Sequence, residues 1–169
     1  MAGYITGEGE ISRSAFGVSA GETLAFPLAM RMGKEEIPTF LAHVEEDDES
    51  NIGVKWLSYY RVIIYEDRFY FSKYRQKDFD NQVVMKGMRA DIENDELVVT
   101  FVWHNSQAHR KGVQVGDKIG AVNGQVVANL PFLEQVKLKE AINTASKIRV
   151  AIHRLGNDIE LTDEVLLTF

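Results

Sequence analysis

The chain has 169 residues, of which 45% are hydrophobic, 10% aromatic and 26% charged, a composition typical of a globular protein. This length allows one large domain or two small ones, and the composition excludes general disorder and fibrous repeats. The 25 acidic residues outnumber the 19 basic ones and give a net charge of -6, so nucleic acid is not an expected partner. The absence of cysteine excludes disulfides, thiolate nucleophiles and cysteine-rich metal sites.

No stretch of the sequence reaches the roughly 18 apolar residues that a membrane span needs, so no span is expected in this chain. Residues 1–11 lack the basic and apolar regions of a secretory signal, and the sequence alone therefore predicts no compartment.

The first half of the chain is predicted to be rich in β-strands. Short β elements are expected over residues 3–21, and strand patterns cover residues 24–32, 37–44, 61–65 and 68–71. Residues 52–60 have apolar side chains at helical spacing for one or two turns. The polar stretch at residues 72–82 is predicted to be a linker, with a domain boundary near Lys77.

The second half is predicted to combine strands with one longer helix. Strand patterns cover residues 83–90, 96–103, 118–122 and 147–153, and Asn123-Gly124 is typical of a two-residue hairpin turn. A helix is predicted over residues 132–145. Its buried face is marked by apolar residues three and four positions apart, at Leu138, Ala141, Ile142 and Ala145.

An ordered string of short motifs in the second half closely resembles the PDZ domains of bacterial proteases. That family has Ser-Pro-Ala, Ala-Gly-Leu, Gly-Asp-x-Ile and Val-Asn-Gly at similar spacing. The corresponding segments here are Asn105-Ser106-Gln107-Ala108, Lys111-Gly112-Val113, Gly116-Asp117-Lys118-Ile119 and Val122-Asn123-Gly124. A generic hairpin with a coincidental Gly-Asp pair does not explain the whole string.

The resemblance implies that a peptide adds as a strand between an exposed sheet edge and the helix at residues 132–145, with its C-terminal carboxylate held by loop N–H groups. The matching loop is Met85-Lys86-Gly87-Met88, in which Gly87 lets the backbone approach the carboxylate closely. A Gly87→Val exchange is therefore expected to weaken binding at little change in melting temperature.

Several features of this loop and its surroundings allow more than one interpretation. Lys86 departs from the family pattern, and either attracts the carboxylate or makes the pocket shallower. Met88, Leu133 and Val136 are the pocket candidates, and plain core packing is the alternative for each. The chain's own linker or a neighbouring subunit is another candidate for filling the groove.

Part of the first half resembles the C-terminal region of retropepsin-like aspartic proteases. The resemblance is carried by a Gly-x-x-x-Ile-Pro hairpin, an Ile/Leu-Gly-x-x-Phe-Leu helix, an Arg-Val strand and a Tyr-Phe strand. These are Gly33-Lys34-Glu35-Glu36-Ile37-Pro38, Ile52-Gly53-Val54-Lys55-Trp56-Leu57, Arg61-Val62-Ile63-Ile64 and Arg68-Phe69-Tyr70-Phe71. Tyr65 stands where the family usually has a non-catalytic aspartate. The resemblance also places Gly7 and Gly9 in a flap-like hairpin.

The segments that resemble this family do not include its catalytic part. Aspartic protease chemistry needs two carboxylates that share a proton, each carried by an Asp-Thr/Ser-Gly turn that precedes the flap. No such motif occurs here, so no catalytic residue is assigned and the chain itself is expected to be inactive. The simplest interpretation is a truncated part of an aspartic endopeptidase, for which the resemblance implies a periplasmic or cell-envelope location and allows a homodimer through the protease-like part.

No metal or cofactor site is predicted. The acidic run at residues 45–49 lacks the alternation and central glycine of a calcium loop, and a solvated loop is favoured. The histidines, His43, His104, His109 and His153, have no second ligand at metal-binding spacing.

The sequence therefore predicts an α+β fold, mostly β, with a partial retropepsin-like β-barrel segment at residues 1–76 and a PDZ domain at residues 78–169. Two functions stay open. In one, the PDZ domain of a peptidase recruits or orients polypeptide substrates. In the other, the chain is a non-enzymatic module that binds peptides or C-termini on a degenerate protease-like platform.

Overall fold

The computed structural model describes residues 3–14, 17–32, 34–44, 60–73 and 82–168, which are mostly β-strand and include two α-helices. This confirms the predicted α+β, mostly β class. The helices are α1 (Gln107–Arg110) and α2 (Phe132–Thr144). The strands are β1 (Ile5–Ser14), β2 (Gly17–Met32), β3 (Glu35–Val44), β4 (Tyr60–Tyr65), β5 (Arg68–Lys73), β6 (Gln82–Met85), β7 (Met88–Glu93), β8 (Glu96–Trp103), β9 (Ile119–Val122), β10 (Gln125–Val126), β11 (Lys147–Ile152), β12 (Asn157–Thr162) and β13 (Glu164–Thr168).

Most predicted strands are present, with two differences. The strand predicted over residues 83–90 is divided into β6 and β7, because the backbone turns at Lys86 and Gly87. β1 and β2 are long strands rather than short elements. Of the segment predicted to be helical at residues 52–60, only Tyr60 lies in the described part, where it begins β4. Most of the predicted linker also lies outside the described residues.

The strands form antiparallel sheets. A five-stranded sheet has the order β3-β2-β1-β8-β7, a four-stranded sheet has the order β10-β9-β11-β12, and β6–β13 and β4–β5 form two-stranded ladders. β7 therefore lies at one edge of the five-stranded sheet, with β8 on one side. Neither described helix is long and apolar enough to cross a membrane.

The main hydrophobic core packs α2 against strands of both larger sheets. Leu138 and Ile142 are buried in it, and Ala141 and Ala145 pack against it from partly buried positions, which confirms the predicted face of the helix. Asn123 and Gly124 have φ angles of 49° and 84° and connect β9 to β10, as their sequence predicts.

A second, smaller core joins the first strands of the chain to β8. Gly7 lies opposite Trp103, and the side chains of Phe101, Trp103 and Ala25 are buried together. A Cβ atom on Gly7 would lie 2.5 Å from Cζ of Phe101, so only glycine allows this approach of β1 to the two rings. The five-stranded sheet thus extends across the boundary predicted near Lys77, and the division into two domains stays a prediction.

Gly7 and Gly9, predicted to lie in a flap-like hairpin, are placed on β1 between β2 and β8. Gly9 has a φ of 124°, and a Cβ there would lie 2.2 Å from the carbonyl oxygen of Thr100. Both glycines therefore have a packing role in this sheet, and their role as a flap stays a prediction.

The contact of β1 with β8 predicts unequal effects of two alanine exchanges. Gly7→Ala should lower the free energy of unfolding by about 2 kcal/mol, because the added methyl group overlaps the ring of Phe101. Gly21→Ala is the matched control, since Gly21 lies on the neighbouring strand and its Cβ would meet no atom within 4 Å. Urea unfolding of both variants measures the difference. Equal stability of the two variants would show that β1 does not pack on β8 in solution.

Candidate functional site

The connection between β6 and β7 is a sharp turn held against the start of α1. Gly87 has a φ of 90°, and its carbonyl oxygen accepts hydrogen bonds from the Trp103 N–H at 2.8 Å and the Ser106 hydroxyl at 3.3 Å. Ser106 is fully buried and caps α1 by accepting the His109 N–H at 3.2 Å. The turn is thereby fixed to the corner between β8 and α1.

Lys86 is a buried cation whose charge is satisfied within the fold. Only 5% of its surface is exposed. Its Nζ donates a hydrogen bond to the carbonyl oxygen of Ala145, just beyond the end of α2, and lies 3.3 Å from the carboxylate of Asp163. Lys86 therefore ties the turn to the end of α2 and to the β12–β13 connection.

The edge of β7 that faces α2 carries outward-pointing backbone groups. Met88 lies opposite Val102, and the neighbouring bond from the Trp103 N–H to the Gly87 carbonyl marks this as the non-hydrogen-bonded position of an antiparallel ladder. The N–H and C=O of Met88 consequently point away from β8.

Ala90, two residues further along β7, has the same orientation and is paired with a side chain of α2. The Ala90 N–H donates to Oδ1 of Asn143 at 3.4 Å, and the Ala90 carbonyl accepts from Nδ2 of Asn143 at 3.3 Å. One carboxamide thus bonds both backbone groups of a single edge residue, as a peptide unit of another strand would.

A cleft of about 760 Å³ opens beside the turn at the end of α2. It is bounded by residues of β6, the turn, β7 and the end of α2, and on its other side by β1, β2 and β8. The lining residues are Ile11, Thr23, Val84, Met85, Lys86, Met88, Arg89, Phe101, Trp103, Asn143, Thr144 and Asp163.

Comparison with known proteins identifies the domain that carries this site. Residues 80–153 match the family model of the PDZ domain. The chain contains a PDZ domain. No curated protein matches the chain. The match confirms the predicted PDZ domain and gives no support to the retropepsin-like part. A PDZ domain implies a peptide-binding interaction module, and PDZ domains bind peptides or C-termini.

The PDZ domain brings together most of the residues predicted from the sequence. Met85, Lys86 and Met88 line the cleft, and Gly87 packs against Ser106, where a hypothetical Cβ would lie only 2.0 Å from Cβ of Ser106. Met88 is only 6% exposed and belongs to the main core, so its side chain both lines the cleft and packs in the core.

The two helix candidates of the PDZ domain lie apart from this cleft. Leu133 is 65% exposed in the first turn of α2, and Val136 is half-buried one turn later. From Val136 to Asn143 the helix rises by about 10 Å, and the cleft is lined by the last turn. That Leu133 and Val136 contact a peptide remains a prediction. The peptide residues that they would contact are those further from the turn.

Sequence reasoning missed Asn143 and Arg89. The alternation of Met88, Arg89 and Ala90 on a strand predicts that Arg89 faces away from the core, and this signal could have drawn attention to it. Asn143 follows the buried Ile142 in the last turn of the helix, but nothing local indicates that its amide reaches β7.

Within the described part of the chain, no group of three or more His, Asp or Glu side chains is arranged to hold a metal ion. The rings of His104 and His109 lie against each other, with centroids 5.4 Å apart. Nδ1 of His104 lies 2.9 Å from the Thr6 hydroxyl, and Nδ1 of His109 accepts the Asn105 N–H at 3.3 Å. These nitrogens are engaged in hydrogen bonds that stabilise the corner beside α1.

Proposed function

We propose that the PDZ domain binds the C-terminal segment of a polypeptide as an added strand between β7 and α2. The observation that carries this proposal is the pairing of Asn143 with Ala90. Its two hydrogen bonds, at 3.4 and 3.3 Å, are those that a peptide unit of an antiparallel partner would make with the same backbone groups. An incoming peptide would replace the carboxamide with its own backbone.

The turn at Gly87 supports capture of a terminal carboxylate at the end of that strand. A positive φ between residues of ordinary conformation directs successive N–H groups toward one point, which is a common way to bind an anion. The Met88 N–H already points away from β8. Because the charge of Lys86 is held by Asp163 and the Ala145 carbonyl, the neutral N–H groups of the turn are the donors in this proposal.

Amidation of the peptide C-terminus tests carboxylate capture. Peptides with a free apolar C-terminal residue, selected from a random library by binding to the whole chain, should lose at least about tenfold in affinity when made as C-terminal amides, because hydrogen bonds to a charged group contribute about 1.5–3 kcal/mol. Fluorescence anisotropy measures both forms. Equal affinity of acid and amide would contradict the proposed role of the turn.

The Asn143→Ala variant, measured in the same assay, tests whether these peptides bind along β7. It should bind them at least about fivefold more tightly, because a peptide no longer has to displace two hydrogen bonds worth about 0.5–1.5 kcal/mol each. Gln125→Ala removes an exposed carboxamide from β10 and is the matched control. If Asn143→Ala and Gln125→Ala both bind the peptides with the same affinity as wild type, the peptides do not occupy the edge at Ala90.

For residues 1–76 the sequence resemblance supports a second proposal, that they belong to an aspartic peptidase whose PDZ domain recruits or orients polypeptide substrates. It is favoured by the β4–β5 hairpin, which pairs the two segments that match the Arg-Val strand and the Tyr-Phe strand of the resemblance. A homodimer through this part and a periplasmic or cell-envelope location belong to the same proposal. An Asp-Thr-Gly or Asp-Ser-Gly motif encoded upstream of Met1 would support it, and its absence there would leave the peptide-binding module alone.

A further inference from the structure

The cleft beside the turn has a wall that does not belong to the PDZ domain. Ile11 of β1 and Thr23 of β2 line it together with Met88 and Arg89. Thr23 is buried, with its hydroxyl donating to the Val44 carbonyl at 2.9 Å, and Ile11 is half-buried. This wall is held in place because β1 is paired with β8 at its residues opposite Phe101 and Trp103.

Arg89 is the cation at this wall. Its neighbours Met88 and Ala90 are buried in the main core, so the alternation of a strand places Arg89 on the opposite face. The guanidinium carbon lies 4.8 Å from the centroid of the Phe101 ring, and one terminal nitrogen donates to the carbonyl oxygen of Glu10. Ring and carbonyl together hold the guanidinium at the cleft.

The described residues provide no ion-pair partner for Arg89. Both of its contacts are with neutral groups, a ring and a backbone carbonyl. A guanidinium has five N–H donors in a planar fork that matches a carboxylate, and most of them remain after the bond to Glu10. Arg89 is also exposed, so an incoming carboxylate can reach it without displacing a protein group.

The strand register determines which residue of a bound peptide meets Arg89. In an antiparallel pair, directly opposite residues project their side chains to the same face with Cβ atoms about 5 Å apart. If the last peptide residue lies opposite Met88, with its carboxylate at the turn, the penultimate residue lies opposite Arg89. Its side chain then projects on the face of the sheet that carries Arg89 and borders the cleft.

We propose that Arg89, positioned by β1 and Phe101, selects peptides with an acidic side chain at the penultimate position. The strands before the PDZ domain thereby form part of its binding site. This inference rests on the proposed peptide binding at β7. It adds a specificity that the turn and α2 alone do not supply.

The test compares free-acid peptides that are identical except for Glu, Gln or Lys at the penultimate position, with wild type and Arg89→Gln at low ionic strength. Wild type should prefer Glu over Gln by about three- to fivefold, as a partly exposed ion pair allows, and the preference should decrease with added salt. Arg89→Gln should lose the preference while its affinity for the Gln peptide stays close to that of wild type. Arg149→Gln, which removes an exposed arginine from β11, should behave as wild type.

Two outcomes would overturn the inference while leaving the proposed function intact: equal binding of the Glu and Gln peptides to wild type, or an undiminished Glu preference in Arg89→Gln. Failure of all three peptides to bind, with loss of the amidation effect, would instead contradict peptide binding itself. A methyl NMR spectrum measures the contribution of β1 separately. The Ile11 methyl signals should shift when the Glu peptide is added, and unchanged signals would show that the wall is not part of the site.

Discussion

Gly87→Ala is expected to lower the free energy of unfolding by about 3 kcal/mol or more, since it adds a clash of about 1–3 kcal/mol to a backbone strain of about 1–2 kcal/mol. The new Cβ would lie 2.0 Å from Cβ and 2.1 Å from Oγ of Ser106, which is fully buried and caps α1. Gly87→Val should lower the free energy of unfolding further, because the branched side chain of valine is larger. The sequence alone predicted little change in melting temperature for Gly87→Val. The structure instead predicts that this exchange lowers the melting temperature.

Gly116→Ala separates the clash from the backbone strain. Gly116 has a φ of 86°, close to that of Gly87, but its Cβ would meet no atom within 4 Å. Gly116→Ala should therefore lower the free energy of unfolding by about 1–2 kcal/mol, because only the backbone strain remains. Urea denaturation of the two variants measures the difference. An equal loss of stability in both variants would show that Gly87 does not pack against Ser106.

Asp117→Ala is expected to lower the free energy of unfolding by about 3 kcal/mol, because it breaks a buried network of charge-assisted hydrogen bonds. Asp117 is 5% exposed and accepts hydrogen bonds from the Gln114 N–H at 2.9 Å and from Nε and a terminal nitrogen of Arg154 at 2.6 and 2.8 Å. Glu160→Gln is the control. Glu160 pairs with Lys147 and Arg149 at the surface, and its loss should change the melting temperature little.

The same network predicts a dependence of stability on pH. Burial by itself would raise the pKa of Asp117, but hydrogen bonds from Arg154 and the Gln114 N–H, together with the charge of Arg154, lower the pKa below its ordinary value of 3.8. The ionised carboxylate therefore contributes stability above that value, and the contribution is lost as the pH falls through the lower pKa of the folded state. The stability gap between wild type and Asp117→Ala should narrow in acid. A gap that stays constant across the acid range would contradict the lowered pKa.

Features of this chain that depend on near neighbours in the sequence could be predicted from the sequence alone. Asn123-Gly124 favours a tight turn because both residues tolerate a positive φ, and the turn connects β9 to β10. The spacing of Leu138 and Ile142 places them on one face of α2 because a helix repeats every 3.6 residues. The order of these local motifs was sufficient to predict the PDZ domain.

Other features depend on residues that are far apart in the chain, and only the tertiary structure decided them. No local pattern indicates that β1 pairs with β8, that the ammonium of Lys86 turns to Asp163, or that the turn at Gly87 packs on Ser106. The bonds of Asn143 to Ala90 join residues 53 positions apart and need both the register of β7 and the position of α2. Turn and helix preferences are properties of a few consecutive residues, whereas strand register and side-chain pairing across the fold are set by the packing of the whole core.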